Sequence, residues 1–392
     1  MLDRLNPQSS DALLQLITLH AADPRPGKID LGVGVYRDAT GGTPVFRSIK
    51  AAERQLVEEQ DSKAYLGPEG DTGFVQALIS FIFGSDAAAK SGRLAGMQTP
   101  GGTGAVRLAL ALTKAAGGKR VLLGVPSWPN HAQIIEDLGL EAVPFDHAKA
   151  DGTTDADGLL QRLRGSGADA VIFHACCHNP TGIDYSAEQW AAIAGALAES
   201  GVLPIIDVAY QGLGQGMEED VAGLRRILAA VPQALVAYSC DKNFGLYRDR
   251  VGALYMAVAE AEQLPLVASN ANALARATWS MPPDHGAAAV RLVLRDEELT
   301  ADWLAELAGM RERMRAMREA LAAVDSRAPG LGLAALRQGN GLFAMLHLDK
   351  AQIARLRDEH GVYMAGSGRI NVAGLTEENL PRFVDALAQV AA

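Results

Sequence analysis

Cysteine is scarce in this 392-residue chain: Cys176, Cys177 and Cys240 are the whole set, and two of them are adjacent. No disulfide framework can be built from them, and buried packing is their simplest role. No stretch approaches the ~20 consecutive apolar residues that span a bilayer. The opening Met-Leu-Asp-Arg-Leu-Asn-Pro is too polar for a secretory leader. Basic side chains are outnumbered 36 to 46, a formal charge of −10, which argues against nucleic acid or an anionic membrane as the main partner. Internal repeats, low-complexity tracts and Pro/Gly/Ser linkers are absent, and no Gly-x-Gly-x-x-Gly follows a strand-like run. The Gly-x-x-x-x-Gly-Lys-Ser/Thr loop of nucleoside triphosphate binding is missing too. His174 and His178 are spaced to align on a helix, not on the strand and turn expected there, so packing or supporting hydrogen bonds suit them better than a metal. With 48 % hydrophobic and 21 % charged residues, the chain is expected to be a metal-free, cytoplasmic globular protein of two or three domains.

Between about residues 105 and 258, short apolar runs alternate with helical patterns. The runs are Val121–Val125, Ala170–Cys177, Leu203–Val208, Ala234–Cys240 and Gly252–Val258. Runs without polar alternation suit strands covered on both faces. Among the helices, Ser186-Ala-Glu-Gln189 reads as a capping box, Trp190, Ile193 and Leu197 form a stripe, and Gly201 is a stop. The expected fold is α/β, with a mostly parallel central sheet. Earlier, Ser10 can cap a helix carrying Leu13, Leu14 and Ile17. After about residue 300 the texture is that of a smaller α+β unit. Met310, Met314, Met317 and Leu321 make a helical stripe, Leu342–Leu348 can be a strand, and Thr376 can open a last helix with Leu380, Phe383, Val384 and Leu387.

Ligands of open α/β sheets sit beyond the carboxyl ends of the strands. The run ending at Cys177 exits into His178-Asn179-Pro180-Thr181-Gly182, and the next exits with Asp207, Ala209 and Tyr210. The run after that exits into Asp241-Lys242-Asn243-Phe244-Gly245, with Arg250 close behind. Upstream, Pro100-Gly101-Gly102-Thr103-Gly104 opens a helix, where bare N–H groups and a positive helix end can cradle a phosphate. A phosphate cradle, acid, phenol, amide and amine together fit pyridoxal 5'-phosphate. Lysine can form its Schiff base, the carboxylate can hold its pyridine nitrogen protonated, and Tyr210 and Asn179 can bond its phenolate oxygen. Thr103, Ser239 and Arg250 can complete the phosphate site. Taken singly, each piece has a plainer reading: a turn, a helix cap, a solvated lysine, a surface ion pair.

At these residues the sequence resembles the class I, fold-type I aminotransferases, in their aspartate and aromatic-amino-acid branch. The resemblance covers nearly the whole chain. It rests on Lys28-Ile-Asp-Leu-Gly-Val-Gly-Val-Tyr36, Tyr65-Leu-Gly, Pro100-Gly-Gly-Thr-Gly-Ala105, Pro126-Ser-Trp-Pro-Asn-His131, Cys177-His-Asn-Pro-Thr-Gly182, Asp207-Val-Ala-Tyr-Gln-Gly212, Lys242-Asn-Phe-Gly-Leu-Tyr247, Arg250-Val-Gly-Ala253 and Ser367-Gly-Arg-Ile-Asn-Val-Ala-Gly374. It implies that Lys242 is the Schiff-base lysine and proton shuttle, Asp207 the pyridinium partner, and Asn179 with Tyr210 the pair on the ring oxygen. Trp128 is implied to stack on the ring, and Gly102, Thr103, Ser239 and Arg250 to hold the phosphate, with Tyr65 lent by the neighbouring subunit. Arg369 is implied to grip the substrate α-carboxylate through a two-pronged contact that lysine cannot make. Gly34, Trp128 and Asn179 lie beside the substrate in this reading. The implied architecture is an arm (1–11), a small domain from both ends (12–43 and 309–392), a large cofactor domain (44–308) and a homodimer with shared active sites.

The resemblance also bears on substrate. Arg276 is similar to the family arginine that reaches in from the partner subunit to pair with the side-chain carboxylate of aspartate or glutamate, and that swings aside for aromatic substrates in the aromatic branch. Three neighbours depart from the family's pattern: Asp241 stands where serine is usual, Trp279 where tyrosine is, and Met281 where asparagine or serine is. Trp279 and Met281 make the surroundings of Arg276 bulkier and more apolar, which favours aromatic donors, and Asp241 is expected to stabilise the cationic form of the neighbouring lysine adduct. The expected activity is transfer of an amino group from aromatic amino acids, aspartate or both to 2-oxoglutarate by a ping-pong mechanism. A strict aspartate aminotransferase is the alternative, with a decarboxylase or lyase on the same fold behind it.

Overall fold

The computed structural model describes the chain except residues 7–11, 85–90, 150 and 392 and the side chains of residues 12–14. The proposed cap Ser10 and the stripe residues Leu13 and Leu14 therefore lie outside the description, although a helix does run over Ala12–Ala22. Two compact units are present, one of residues 44–312 and one of residues 1–43 with 313–392.

The larger unit is built on a seven-stranded sheet. Its spatial order is Leu94–Pro100, Val251–Ala257, Ala234–Ser239, Leu203–Val208, Ala170–His174, Arg120–Val125 and Glu141–Asp146. The last five are mutually parallel, whereas Val251–Ala257 runs antiparallel to both of its neighbours. Every residue of Ala234–Ser239 and Val251–Ala257 is buried, as a sheet covered on both faces requires. The helix over Ala187–Ser200 carries the expected Ser186–Gln189 capping box, ends at left-handed Gly201, and buries Trp190, Ile193 and Leu197.

One expected strand is shorter than its apolar run. Ala170–Cys177 is a strand only to His174. Cys177 turns into the left-handed region (φ 52°), and its N–H and that of His178 each donate to the Asp184 carboxylate at 3.0 Å. That local pairing offers the backbone an alternative to the ladder and aims residues 178–182 across the ends of the strands.

The smaller unit holds two short sheets. Ile29–Asp30 pairs in parallel with Val362–Tyr363, and Phe343–Met345 pairs antiparallel with Arg369–Asn371, so only part of Leu342–Leu348 is strand. Thr376 accepts from the Asn379 N–H at 3.1 Å in a turn that precedes the last helix, Leu380–Ala391, which buries Phe383, Val384 and Leu387. Met310, Met314, Met317 and Leu321 are buried along the helix Glu297–Ala323. No helix among the described residues is long and apolar enough to cross a membrane.

Candidate active site

The strand exits converge on a pocket lined by Gly102, Thr103, Trp128, His174, Asn179, Asp207, Ala209, Tyr210, Ser239 and Lys242. Eight of those ten residues are sequence candidates: six belong to the ends and exits of the parallel strands, and Gly102 and Thr103 follow the edge strand Leu94–Pro100.

Asp207 sits near the end of Leu203–Val208, level with His174 on the adjacent strand. Burial of a carboxylate needs a partner, and His131 Nε2 lies 3.0 Å from Asp207 Oδ2. The other ring nitrogen of His131 is 3.0 Å from Ser127 Oγ. With the proton on Nε2, histidine donates to the carboxylate and accepts from serine. His174 continues this wall, 4.9 Å from the His131 ring, and touches His178, which in turn stacks on His147. Burial holds His174 and His178 well below the ordinary histidine range, each reinforced by its histidine neighbours, and His147 falls to about 4. Asp207 therefore lies level with a neutral imidazole, that of His174, on the adjacent strand. His131 was missed as a site residue because it lies 76 positions from Asp207. Its only sequence signal is its place on the first turns of a helix leaving a strand exit.

Lys242 follows Ala234–Ser239, and its Nζ lies 5.5 Å from the centroid of the Tyr210 ring. The side chain is half-buried and opens on the cavity. Burial lowers the amine below its usual value, while Asp241 and Asp207 oppose that shift. An amine so placed is more available as a nucleophile.

The anion end is the start of the helix Gly101–Ala115. Pro100 offers no capping side chain and the first turn has no acidic residue, so N–H groups and the helix dipole face outward. A Cβ on Gly102 would lie 2.8 Å from the Ser239 Cβ, and one on Gly101 (φ 72°) would lie 2.5 Å from Arg250 Nη2. Only glycine keeps this cradle open. Arg250, itself left-handed at φ 56°, donates from Nη1 to Asp241 Oδ2 and to the Tyr247 carbonyl. Asp241 bonds to Arg250 and accepts from the Val251 N–H, and its charge raises the basicity of Lys242, the direction expected of a carboxylate beside the lysine.

The remaining candidates lie elsewhere. Arg369, in the smaller unit, donates to the Gly32 carbonyl at 2.8 Å and lies 4.3 Å over the Phe343 ring. A Cβ on Gly34 would meet that same ring at 2.7 Å. Asn371 pins this segment by donating to the Val33 and Val35 carbonyls at 2.7 Å each, a role its motif did not disclose. Tyr65 is 94 % exposed, and Arg276 is exposed and donates to Ser280 Oγ at 2.7 Å. The Leu66 N–H reaches the Met281 thioether at 3.1 Å, so the segments bearing Tyr65 and Arg276 are neighbours. Trp279 packs inward against the core of the larger unit.

The chemistry of this donor set fits pyridoxal phosphate: a glycine cradle for an anion, a histidine-supported carboxylate, and an amine of lowered basicity on one cavity. Independent likenesses agree. The family model described as "Aminotransferase class I and II" matches residues 26–387. The chain is 51 % identical over 378 residues to the tyrosine aminotransferase of Rhizobium meliloti (strain 1021), covering 96 % of each. It is 42 % identical to the aspartate aminotransferase of Escherichia coli (strain K12), covering 100 % of each. The crystal structure of an aromatic-amino-acid aminotransferase from Burkholderia pseudomallei, covalently bound to pyridoxal phosphate, superimposes with a TM-score of 0.95 at 34 % identity over the whole of both chains. The chain thus belongs to the class I and II aminotransferases, a pyridoxal-phosphate-dependent family of enzymes.

Proposed function

We propose that this enzyme transfers the amino group of aromatic amino acids, with aspartate as a second donor, to 2-oxoglutarate, and that it works as a cytoplasmic homodimer. The observation that carries the reading is the single cavity shared by Lys242, Asp207 and the Gly101–Ala115 helix start. The names of the relatives support the aromatic preference, tyrosine aminotransferase being the more similar of the two sequences compared above.

When bound, pyridoxal phosphate supplies an aldehyde that condenses with amines and an electron-poor ring that draws charge from the substrate Cα. In this reading Asp207 holds a proton on the ring nitrogen, and His131 fixes that carboxylate through its 3.0 Å contact. Lys242 would present its amine to the cofactor's aldehyde and would carry the proton released at the substrate Cα. Trp128 would cover the ring, Asn179 and Tyr210 would bond its oxygen, and Gly102, Thr103, Ser239 and Arg250, with Tyr65 of the partner subunit, would hold the phosphate. Arg369 receives the α-carboxylate, and Gly34 leaves room beside it. Arg369→Lys, which loses the forked geometry, should weaken every amino acid and oxo acid alike, by about tenfold or more in kcat/KM.

Arg276 supplies the test of substrate class. Its exposure suits a residue that serves the neighbouring subunit's site, and Ser280 gives its guanidinium a resting partner when no side-chain carboxylate is bound. Steady-state kcat/KM for aspartate, tyrosine, phenylalanine and tryptophan, each with 2-oxoglutarate, should favour the aromatic donors. In Arg276→Ala, aspartate should lose about 30-fold or more, the cost of stranding a paired carboxylate, while phenylalanine changes little. Equal losses for both would remove the dicarboxylate role. Release of CO₂ from the donor without any oxo acid would replace the transferase reading with a lyase one.

A further inference from the structure

The cradle contains a charge of the wrong sign for a phosphate. Asp241 is 2 % exposed, and its Oδ2 lies 3.2 Å from the position a Cβ on Gly101 would occupy, at the start of the helix whose N–H groups face the anion. The same oxygen takes Arg250 Nη1, Oδ1 accepts from the Val251 N–H at 3.3 Å, and the Asp241 N–H donates to Ser239 Oγ at 3.2 Å. Two groups assigned to the phosphate, Arg250 and Ser239, are thus bonded to this one residue. Arg250 Nη1 is further tied to Tyr247, leaving Nη2 and Nε for an incoming anion.

We propose that Asp241 is a resident anion of the phosphate end of this pocket: it occupies Arg250 Nη1, opposes a phosphate group with its own charge, and so loosens the chain's hold on its cofactor. The inference rests on the reading of this cavity as the pyridoxal phosphate site, and it concerns the phosphate grip alone. The carboxylate accepts a charge-assisted bond from guanidinium, which belongs to its ionised form. A phosphate entering the cradle meets this charge at short range and with little water between them. Serine or asparagine at the same position would leave Arg250 and the helix start unopposed. The consequence falls on the half of the cycle in which the aminated cofactor has no covalent bond to Lys242, because retention then depends on the phosphate contacts. Asp241 makes cofactor exchange easier at that stage.

The experiment compares the full-length wild-type chain, Asp241→Asn and Asp241→Ser, each freed of cofactor. Each is titrated with inorganic phosphate, with pyridoxal 5'-phosphate, and with pyridoxal, which lacks the phosphate. Heat reports the first ligand and absorbance the two aldehydes. Both variants should bind inorganic phosphate and pyridoxal 5'-phosphate about tenfold or more tightly than wild type, with pyridoxal changed by less than about twofold. Asparagine keeps the shape of the side chain and decides alone if the serine variant does not fold. Weaker or unchanged phosphate binding in Asp241→Asn overturns the proposal and leaves Asp241 as a support for Arg250. A parallel gain for pyridoxal also overturns it, since the gain would then not depend on the phosphate group. A wild-type chain that develops no chromophore on Lys242 overturns the cofactor reading beneath it instead.

Discussion

Lys242→Ala should leave a folded protein whose turnover is at least about 10⁴-fold below wild type, the loss expected when a nucleophile and a proton carrier are the same side chain. The fold should survive because the ammonium holds little together. Among the described residues Nζ makes no hydrogen bond or ion pair, only its approach to the Tyr210 ring. The group is half-buried, and burial already disfavours its charged form, so removing it relieves a desolvation cost. Melting temperature and circular dichroism should stay near wild type while steady-state activity vanishes. Lys242→Arg separates charge from chemistry. It keeps a cation near Asp207 and Asp241, but guanidinium stays protonated in proteins and neither condenses with an aldehyde nor carries the proton. Arginine should therefore be as inactive as alanine. Measurable activity in the arginine variant would reduce Lys242 to a positioning charge, and wild-type rates in the alanine variant would place the chemistry on another amine.

Much of this site was legible because parallel strands carry a strong signal. Continuous apolar runs mark strands buried on both faces, and the residues just past them are the ones a ligand meets. Asn179, Asp207, Tyr210, Ser239 and Lys242 were found that way and line one cavity. The outer strands were not visible. Leu94–Pro100 carries Gly96, Gln98 and Thr99, and Glu141–Asp146 alternates exposed with buried residues around Pro144. Both lie at the edges of the sheet, where proline and polar residues are tolerated. Long-range polar pairs were equally hidden. The His131–Asp207 contact has no local pattern, since it depends on which strand exits become neighbours, and the Asp241–Arg250 pair depends on how the short connection between two adjacent strands folds back on itself. The meanings of Tyr65, Arg276 and Arg369 came from resemblance alone: an exposed tyrosine or arginine in a loop carries no periodicity that a physical reading can use.

Asp207→Asn should be the most damaging substitution that preserves side-chain shape. A carboxylate beside the ring nitrogen favours its protonated form, and that cation is what draws charge from the substrate Cα. Asparagine fills the same volume and can keep a hydrogen bond to His131, but it brings no charge. The loss should appear in kcat, about 10³-fold or more by analogy with the removal of a preorganised electrostatic group. KM for the amino donor should change much less, because Asp207 does not face the substrate's carboxylates in this assignment. His131→Ala is the internal control. It removes the 3.0 Å contact that fixes Oδ2 yet leaves the carboxylate's charge, so its loss in kcat should be smaller than that of Asp207→Asn. Comparing the two separates charge from position. If His131→Ala proves as inactive as Asp207→Asn, the histidine does more than hold the acid in place; if Asp207→Asn retains wild-type kcat, the ring nitrogen has another partner. The neutral His174 and His178 provide no other charge along this wall, so compensation from within it is not expected.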